Sequence, residues 1–410
     1  MIVIVCETET HKIAKAISAD LAHAYKDQLQ VAILIASDTI VWPAEYSWDD
    51  LLIVIYQNAD FPKIGKDFIS EYRQSRGQNS FVLPVSVNLA NKTPPEPVSD
   101  IKAILYDDVA KGEFGRIANR VGAILGLRIR HRDHKIFISY RAVDGNLIAQ
   151  KLNEFLEENG FRPWLDEAPD RYDGEPNIPV GTNVQAVIEQ NLKDANLIVL
   201  IDTPKAPQSR WLKLEIDTAN AHLIPILPIC FRPTSDKRNG PHFSSLRELQ
   251  RWVDISWLDN NGPTIDDSVL YDIMDKMETY LCDIYRRKLR VPNLVQNQFV
   301  SRGFSWEELD RHKYIYDSLK QNDLRIRFRA ISHCSIFDEV YKPALKVFAE
   351  YCDSTPASYL LYVYDGEILS EIEMEDLYSE AIVKKAMNLI ILHNQEVSTI
   401  LDSIFAGVSL

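Results

Sequence analysis

Short apolar runs alternate with amphipathic stretches along most of the chain. Ile2–Cys6, Val31–Ala36, Leu51–Tyr56 and Phe81–Val87 read as strands. Thr8 or Thr10 is placed to cap a helix running to about Lys26, and a second helix is expected near Ile64–Arg76. A strand near Ala103–Tyr106 and a helix Glu113–Leu125 complete a first unit, residues 1–130. Strands separated by helices predict a parallel, flavodoxin-like α/β sheet.

The pattern then starts again. Lys135–Ser139, Arg162–Leu165, Leu197–Ile201, Ile224–Ile229 and Val253–Trp257 are the expected strands. Leu147–Asn159, Asn183–Asp194, Trp211–Ala221 and Asp266–Lys288 are the expected helices. Leu197–Ile201 contains only Leu, Ile and Val, which marks a central strand buried on both faces. This second unit covers residues 133–288. Residues 289–303 show no clear period and read as a linker. A third α/β unit, residues 304–410, is expected to open with a helix from Ser305 to about Gln321, capped by Ser305 with Glu308. Strands Ile326–Ile331, Tyr359–Tyr364 and Leu389–Leu392 follow, with helices Ile336–Tyr351, Glu371–Met387 and Glu396–Phe405.

The first two units read as an internal repeat. Glu71 lies thirteen residues before Pro84, and Glu215 thirteen residues before Pro228, each proline inside an apolar strand. The surroundings differ. Position 67, four before Glu71, is Asp, whereas Trp211 stands four before Glu215. The end of the first strand reads Cys6-Glu7-Thr8, against Ser139-Tyr140-Arg141 in the second unit.

Composition narrows the function. The net charge of -14 argues against a phosphate-driven nucleic-acid binder. Five cysteines, none in a CxxC pair, argue against a disulfide framework or a zinc site and suit a reducing cytoplasm. The opening Met1–Cys6 reads as a strand rather than a secretory leader, and no run is long enough to span a membrane. No phosphate-cradling glycine-rich loop supports a dehydrogenase or a P-loop NTPase. His333-Cys334 sits just past a strand end without a catalytic partner in view and reads as structural.

The chemistry-bearing residues fall in the second unit. Lys135-Ile-Phe-Ile-Ser-Tyr-Arg141, Gly160-Phe-Arg-Pro-Trp-Leu-Asp166 and Ser209-Arg-Trp-Leu-Lys-Leu-Glu215 lie in that order on strand, strand and helix. Together they resemble the TIR (Toll/interleukin-1 receptor) domain family. The first is similar to its box 1 strand, the second to the strand entering its BB loop, the third to its S-x-W-x-x-x-E helix start. The segment between Asp166 and Ile178 is longer than a usual BB loop, which affects assembly geometry rather than chemistry.

The resemblance implies an enzyme that cleaves the nicotinamide–ribose bond of NAD+, with Glu215 as the catalytic carboxylate. NAD+ is then the substrate, with no further cofactor and no metal. Phe137, Ser139, Arg141, Trp164, Asp166 and Trp211 are the residues implied for holding the nucleotide. In this reading Trp164 stacks on the departing ring, Arg141 takes the diphosphate and Trp211 walls the pocket. Asp144 and Ser209 are expected as helix caps. The resemblance further implies a bacterial anti-phage effector that self-associates through TIR domains, with residues 304–410 docking a protein or nucleotide trigger. A non-enzymatic scaffold and a cyclase making a cyclic ADP-ribose are the alternatives.

Overall fold

The computed structural model describes residues 1–25, 29–42, 50–76, 81–88, 93–106, 113–127, 135–166, 184–246, 252–257, 265–310, 315–319, 325–331, 359–366, 368–369 and 389–405. They form three five-stranded sheets. The expected helices Ile336–Tyr351 and Glu371–Met387, and His333-Cys334, lie outside them.

The first sheet has β1 (Ile2–Cys6), β2 (Val31–Ile35), β3 (Leu51–Tyr56), β4 (Phe81–Ser86) and β5 (Ile104–Leu105) in the order β2-β1-β3-β4-β5. Its helices are α1 (His11–Ala24), α2 (Lys63–Arg76) and α3 (Glu113–Leu127). Its neighbouring strands all pair in parallel. Thr10 sits at the start of α1, but its hydroxyl donates to the Glu7 carbonyl instead of capping the helix.

The second sheet has β6 (Lys135–Ser139), β7 (Arg162–Trp164), β8 (Leu197–Asp202), β9 (Ile226–Pro233) and β10 (Val253–Trp257), with α4 (Ala142–Glu158), α5 (Val184–Lys193), α6 (Arg210–Ala221) and α7 (Asp267–Ser301). Its order, β7-β6-β8-β9-β10, is that of the first sheet with each strand replaced by its counterpart. Every residue of β8 is buried, as its unbroken apolar run requires.

The two prolines share a place in these sheets. Pro84 pairs with Val54 and Pro228 with Leu200, each partner being the fourth residue of its strand. The outer strand joins one residue later in both cases, at Val85 with Ile104 and at Ile229 with Val253. A proline has no N–H to give, so the outer ladder starts where donors resume.

The chain divides into two compact units. One comprises Met1–Ile136, Gln150–Pro163 and Ile265–Asp283, the other Phe137–Ala149, Trp164–Thr264 and Ile284–Leu410.

Two sequence expectations are overturned. Residues 289–301 are not a linker; they continue α7 through Pro292. Val291, Val295 and Phe299 recur every fourth residue, are fully buried, and pack on the third sheet. That stripe outweighs the hydrogen bond a proline removes from the helix.

Nor does Ser305–Gln321 form a capped helix. β11 (Glu307–Asp310) and β12 (Ile315–Leu319) pair antiparallel there, and β12 continues into β13 (Arg325–Ile331), β14 (Tyr359–Tyr364) and β15 (Leu389–His393). Ile326, Phe328 and Ala330 of β13 point into the apolar core, and α8 (Val397–Phe405) adds Val397 and Leu401 to it. Arg325, Arg327 and Arg329 alternate to the opposite face, where Arg325 and Arg327 meet Asp317 of β12. Buried Asp317 therefore belongs to a strand that neutralises arginines rather than to a solvated helix face.

Cys6, Cys230 and Cys282 are buried free thiols; Cys334 and Cys352 lie outside the described residues.

Candidate active site

β6 carries Ser139 at its carboxyl end, in the sheet position held by Cys6 in β1. α6 starts at Ser209, whose hydroxyl accepts the backbone N–H of Leu212 at 3.3 Å and so caps the helix as expected. One turn further on, α6 presents Glu215, and Ser139 Oγ donates to Glu215 Oε2 at 2.6 Å. Residues 76 apart in sequence are thus joined at the carboxyl end of the sheet, the end at which α/β folds bind ligands.

Burial pushes the Glu215 carboxyl up to about 7. The Ser139 hydrogen bond opposes that rise, and the negative charge of Asp166 adds to it. Asp166 follows β7 and accepts a hydrogen bond from Tyr140 Oη at 2.7 Å. Ser139, Tyr140, Asp166 and Glu215 therefore form one polar cluster, with a carboxylate poised near neutrality.

The other expected site residues divide. Phe137 and Trp164 stack on each other with ring centroids 4.9 Å apart and planes inclined by 20°. They are 2% and 7% exposed, inside the core of the second sheet. Both residues point to the same buried face of adjacent strands. Trp211, by contrast, is 61% exposed, one helical turn before Glu215. Arg141 lies two residues past the end of β6 and pairs with Asp144 at 3.1 Å. Asp144 is not the cap expected of it, since α4 already begins at Ala142; it lies in the first turn and accepts a hydrogen bond from Thr203 Oγ1 at 2.9 Å.

Sequence reasoning assigned no role to Tyr140 or Thr203. The polar pair Asp202-Thr203 that ends the all-apolar run of β8 was the available signal for the latter. Asp202 is fully buried and accepts the backbone N–H of His242 at 2.6 Å, so it fastens the loop after β9.

A cleft of about 1080 Å³ is lined by, among others, Lys102, Arg116, Arg120, Tyr271 and Glu278, and by none of the cluster residues. Its charges are largely matched internally: Arg120 with Glu278 and Asp100 with Arg73, while Lys102 donates to the Tyr271 hydroxyl. The Ser139–Glu215 cluster is the better candidate because its carboxyl is raised toward neutrality and, among the described residues, no cation is paired with it. No group of three or more His, Cys, Asp or Glu among the described residues could hold a metal ion. The segment between Asp166 and Ile178 lies outside the described residues.

A 2' cyclic ADP-D-ribose synthase, BtTIR, of Bacteroides thetaiotaomicron is 28% identical over 143 residues. The match covers 34% of this chain and spans 44% of that relative's length. Among solved structures, the C-terminal domain of a glucosamine-fructose-6-phosphate aminotransferase from Francisella tularensis matches at 13% identity and a TM-score of 0.20, over 70% of this chain and 84% of that one. A putative phosphosugar isomerase from Silicibacter pomeroyi DSS-3 matches at 12% and 0.19, over 69% and 84%. Neither superposes closely enough to carry an argument. The TIR domain family model matches residues 136–266, which contain Ser139, Tyr140, Asp166 and Glu215, and over those residues the chain carries a TIR domain.

Proposed function

We propose that this chain is an NAD+ hydrolase that cleaves the nicotinamide–ribose bond at Glu215. The observation that carries the reading is the Ser139–Glu215 pair at the carboxyl end of a TIR-domain sheet, with the carboxyl raised to about 7. The relative whose name describes synthesis of a cyclic ADP-ribose supports chemistry on the same bond.

One carboxylate suffices. The pyridinium leaves with the bonding electron pair as neutral nicotinamide, so no acid need protonate it. The ribose carbon becomes oxocarbenium-like, and a nearby carboxylate stabilises that charge. Water adds to the carbon and releases a proton, giving ADP-ribose. Ser139 holds the carboxylate in place, and Trp211 is the exposed aromatic next to it. NAD+ is the substrate, and no resident cofactor is needed for this route. Assembly through TIR domains is the proposed switch, in a cytoplasmic anti-phage effector whose residues 304–410 dock the trigger. Among the described residues no helix is long and apolar enough to cross a membrane.

A second reading keeps the site and changes the product. If a ribose hydroxyl replaces water as nucleophile, the product is cyclic, as the relative's name describes. Incubating the purified chain with NAD+, with and without forced clustering, tests both. Nicotinamide with linear ADP-ribose supports hydrolysis, and nicotinamide with a product lighter by one water supports cyclisation. Failure to release nicotinamide under any clustering condition favours a scaffold.

The pH dependence follows from Glu215. The charge-stabilising form is the carboxylate, which forms as pH rises through about 7. Release is therefore expected to increase about tenfold between pH 6 and pH 8, with its midpoint near 7. A flat profile, or one that falls over this range, would contradict the assignment.

A further inference from the structure

The strand order reverses between β6 and β8: β7 lies beyond β6 on one side, and β9 and β10 beyond β8 on the other. In parallel α/β sheets the crevice at such a reversal takes the phosphates of a nucleotide. Three residues meet there. Arg141 follows β6, Asp144 is in the first turn of α4, and Thr203 follows the last residue of β8. Thr203 Oγ1 donates to Asp144 Oδ2 at 2.9 Å, and the same oxygen faces Arg141 Nη1 at 3.1 Å.

Gly145 packs closely at this junction: a Cβ there would stand 3.2 Å from Tyr140 Cβ, a tight contact, and at an ordinary 3.5 Å from Ile201 Cγ2. Thr203 is 4% exposed and cannot itself reach a substrate in the crevice. The side chains of Arg141 and Asp144 are 22% and 28% exposed, so both are partly covered and both border solvent. Among the described residues Asp144 is the only ion-pair partner of Arg141. It engages Nη1 and leaves the other guanidinium donors for a ligand.

We propose that Thr203 and Asp144 are positioning residues that hold Arg141 in the crevice for a bidentate contact with the diphosphate of the substrate. The proposal rests on the reading of this chain as an enzyme acting on NAD+. A planar guanidinium gives two parallel bonds to phosphate oxygens only when its orientation is set. The Thr203 hydroxyl fixes Asp144, and Asp144 fixes the arginine. The relay acts on binding of the diphosphate, whereas Glu215 acts on the scissile bond. Its loss therefore raises KM and leaves kcat in place, because the contact is equal in ground and transition states.

The test uses the full-length chain. Thr203→Val keeps the shape and removes the donor; Thr203→Ser keeps the donor. Expected results are a KM for NAD+ about tenfold higher in T203V with kcat within twofold of the wild type, and a KM restored to within twofold in T203S. Asp144→Asn reports on the same link if T203V fails to fold, and should raise KM likewise. A T203V and D144N KM within twofold of the wild type overturns the relay, as does a fall in kcat at unchanged KM. Calorimetric titration with ADP-ribose, which carries the diphosphate but no scissile bond, separates this proposal from the hydrolase reading. Binding that weakens about tenfold in T203V, in a chain that releases no nicotinamide, keeps the relay and sinks the hydrolase. A hydrolysing wild type with equal ADP-ribose affinity in T203V sinks the relay alone.

Discussion

Replacing Glu215 by Gln is expected to lower nicotinamide release by roughly 10³-fold while the protein becomes more stable at pH 8. On the proposed mechanism, the activity loss follows from removing the Glu215 charge that stabilises the developing oxocarbenium ion, an interaction of the transition state alone. Gln keeps the size and the acceptor for Ser139 Oγ, which now sits 2.6 Å from a carboxylate oxygen, so the local structure need not change.

The stability gain comes from the same burial. The Glu215 carboxyl is raised from its ordinary 4.5 to about 7 in the folded chain. A raised carboxyl keeps its proton in the fold at pH values where the unfolded chain has already lost it. Stability is therefore greatest below about 4.5 and falls as pH rises to about 7, above which the cost is complete. Gln avoids that cost. A gain of about 1–3 kcal/mol is expected at pH 8, shrinking toward zero near pH 4.5. Urea unfolding at the two pH values, alongside nicotinamide release, measures both effects. An E215Q chain that keeps a tenth of wild-type release would remove Glu215 from the chemistry. Equal stability of the two proteins at both pH values would show that the carboxyl is not desolvated.

Much of this was legible from sequence, and the reasons differ by element. The strands of the first two sheets announce themselves because a parallel strand covered on both faces is apolar along most of its length, as β3 is throughout and β8 is up to Asp202. The proline register was visible as a bare spacing between Glu71 and Pro84 and between Glu215 and Pro228. The structure adds the reason, an outer ladder that begins just after each proline. Glu71 itself is exposed, whereas Glu215 is turned toward Ser139.

The errors are of two kinds. The extension of α7 was hidden by Pro292, a local breaker overruled by the tertiary burial of Val291, Val295 and Phe299. The β11–β12 hairpin was hidden because a capping signature at Ser305 and Glu308 matched a local pattern, while the partner that makes Asp317 a strand residue is Arg325 on the next strand. Site geometry was legible only where a motif supplied it. Ser139 and Glu215 were chosen from their motifs, and their mutual hydrogen bond is a product of the fold. Trp164 shows the limit: the motif places the residue, but its stack on Phe137 is visible only in the packing.

Truncating Glu278 is expected to destabilise the first compact unit by about 3–5 kcal/mol, the largest stability effect predicted for a single substitution in this chain. Arg120 of α3 reaches Glu278 of α7 with Nε 2.5 Å from Oε1, and the two side chains are 11% and 4% exposed. Burial lowers the arginine and raises the glutamate, each held charged against that tendency by the other. The guanidinium also donates to the Asn159 carbonyl at 3.2 Å and lies 4.9 Å from the centre of the Phe161 ring. In Glu278→Ala these contacts remain, but the largely buried cation has lost its counter-charge, and that uncompensated charge is the source of the cost. Replacing both partners should be far milder. Arg120→Leu with Glu278→Leu leaves no buried charge, and its loss should be smaller than that of E278A alone. Hydrogen-exchange protection of the α3 amides reads this unit without requiring the whole chain to unfold in one step. A reduction below about 1 kcal/mol in E278A, or a double variant worse than E278A, would mean that the pair is solvated rather than a buried link.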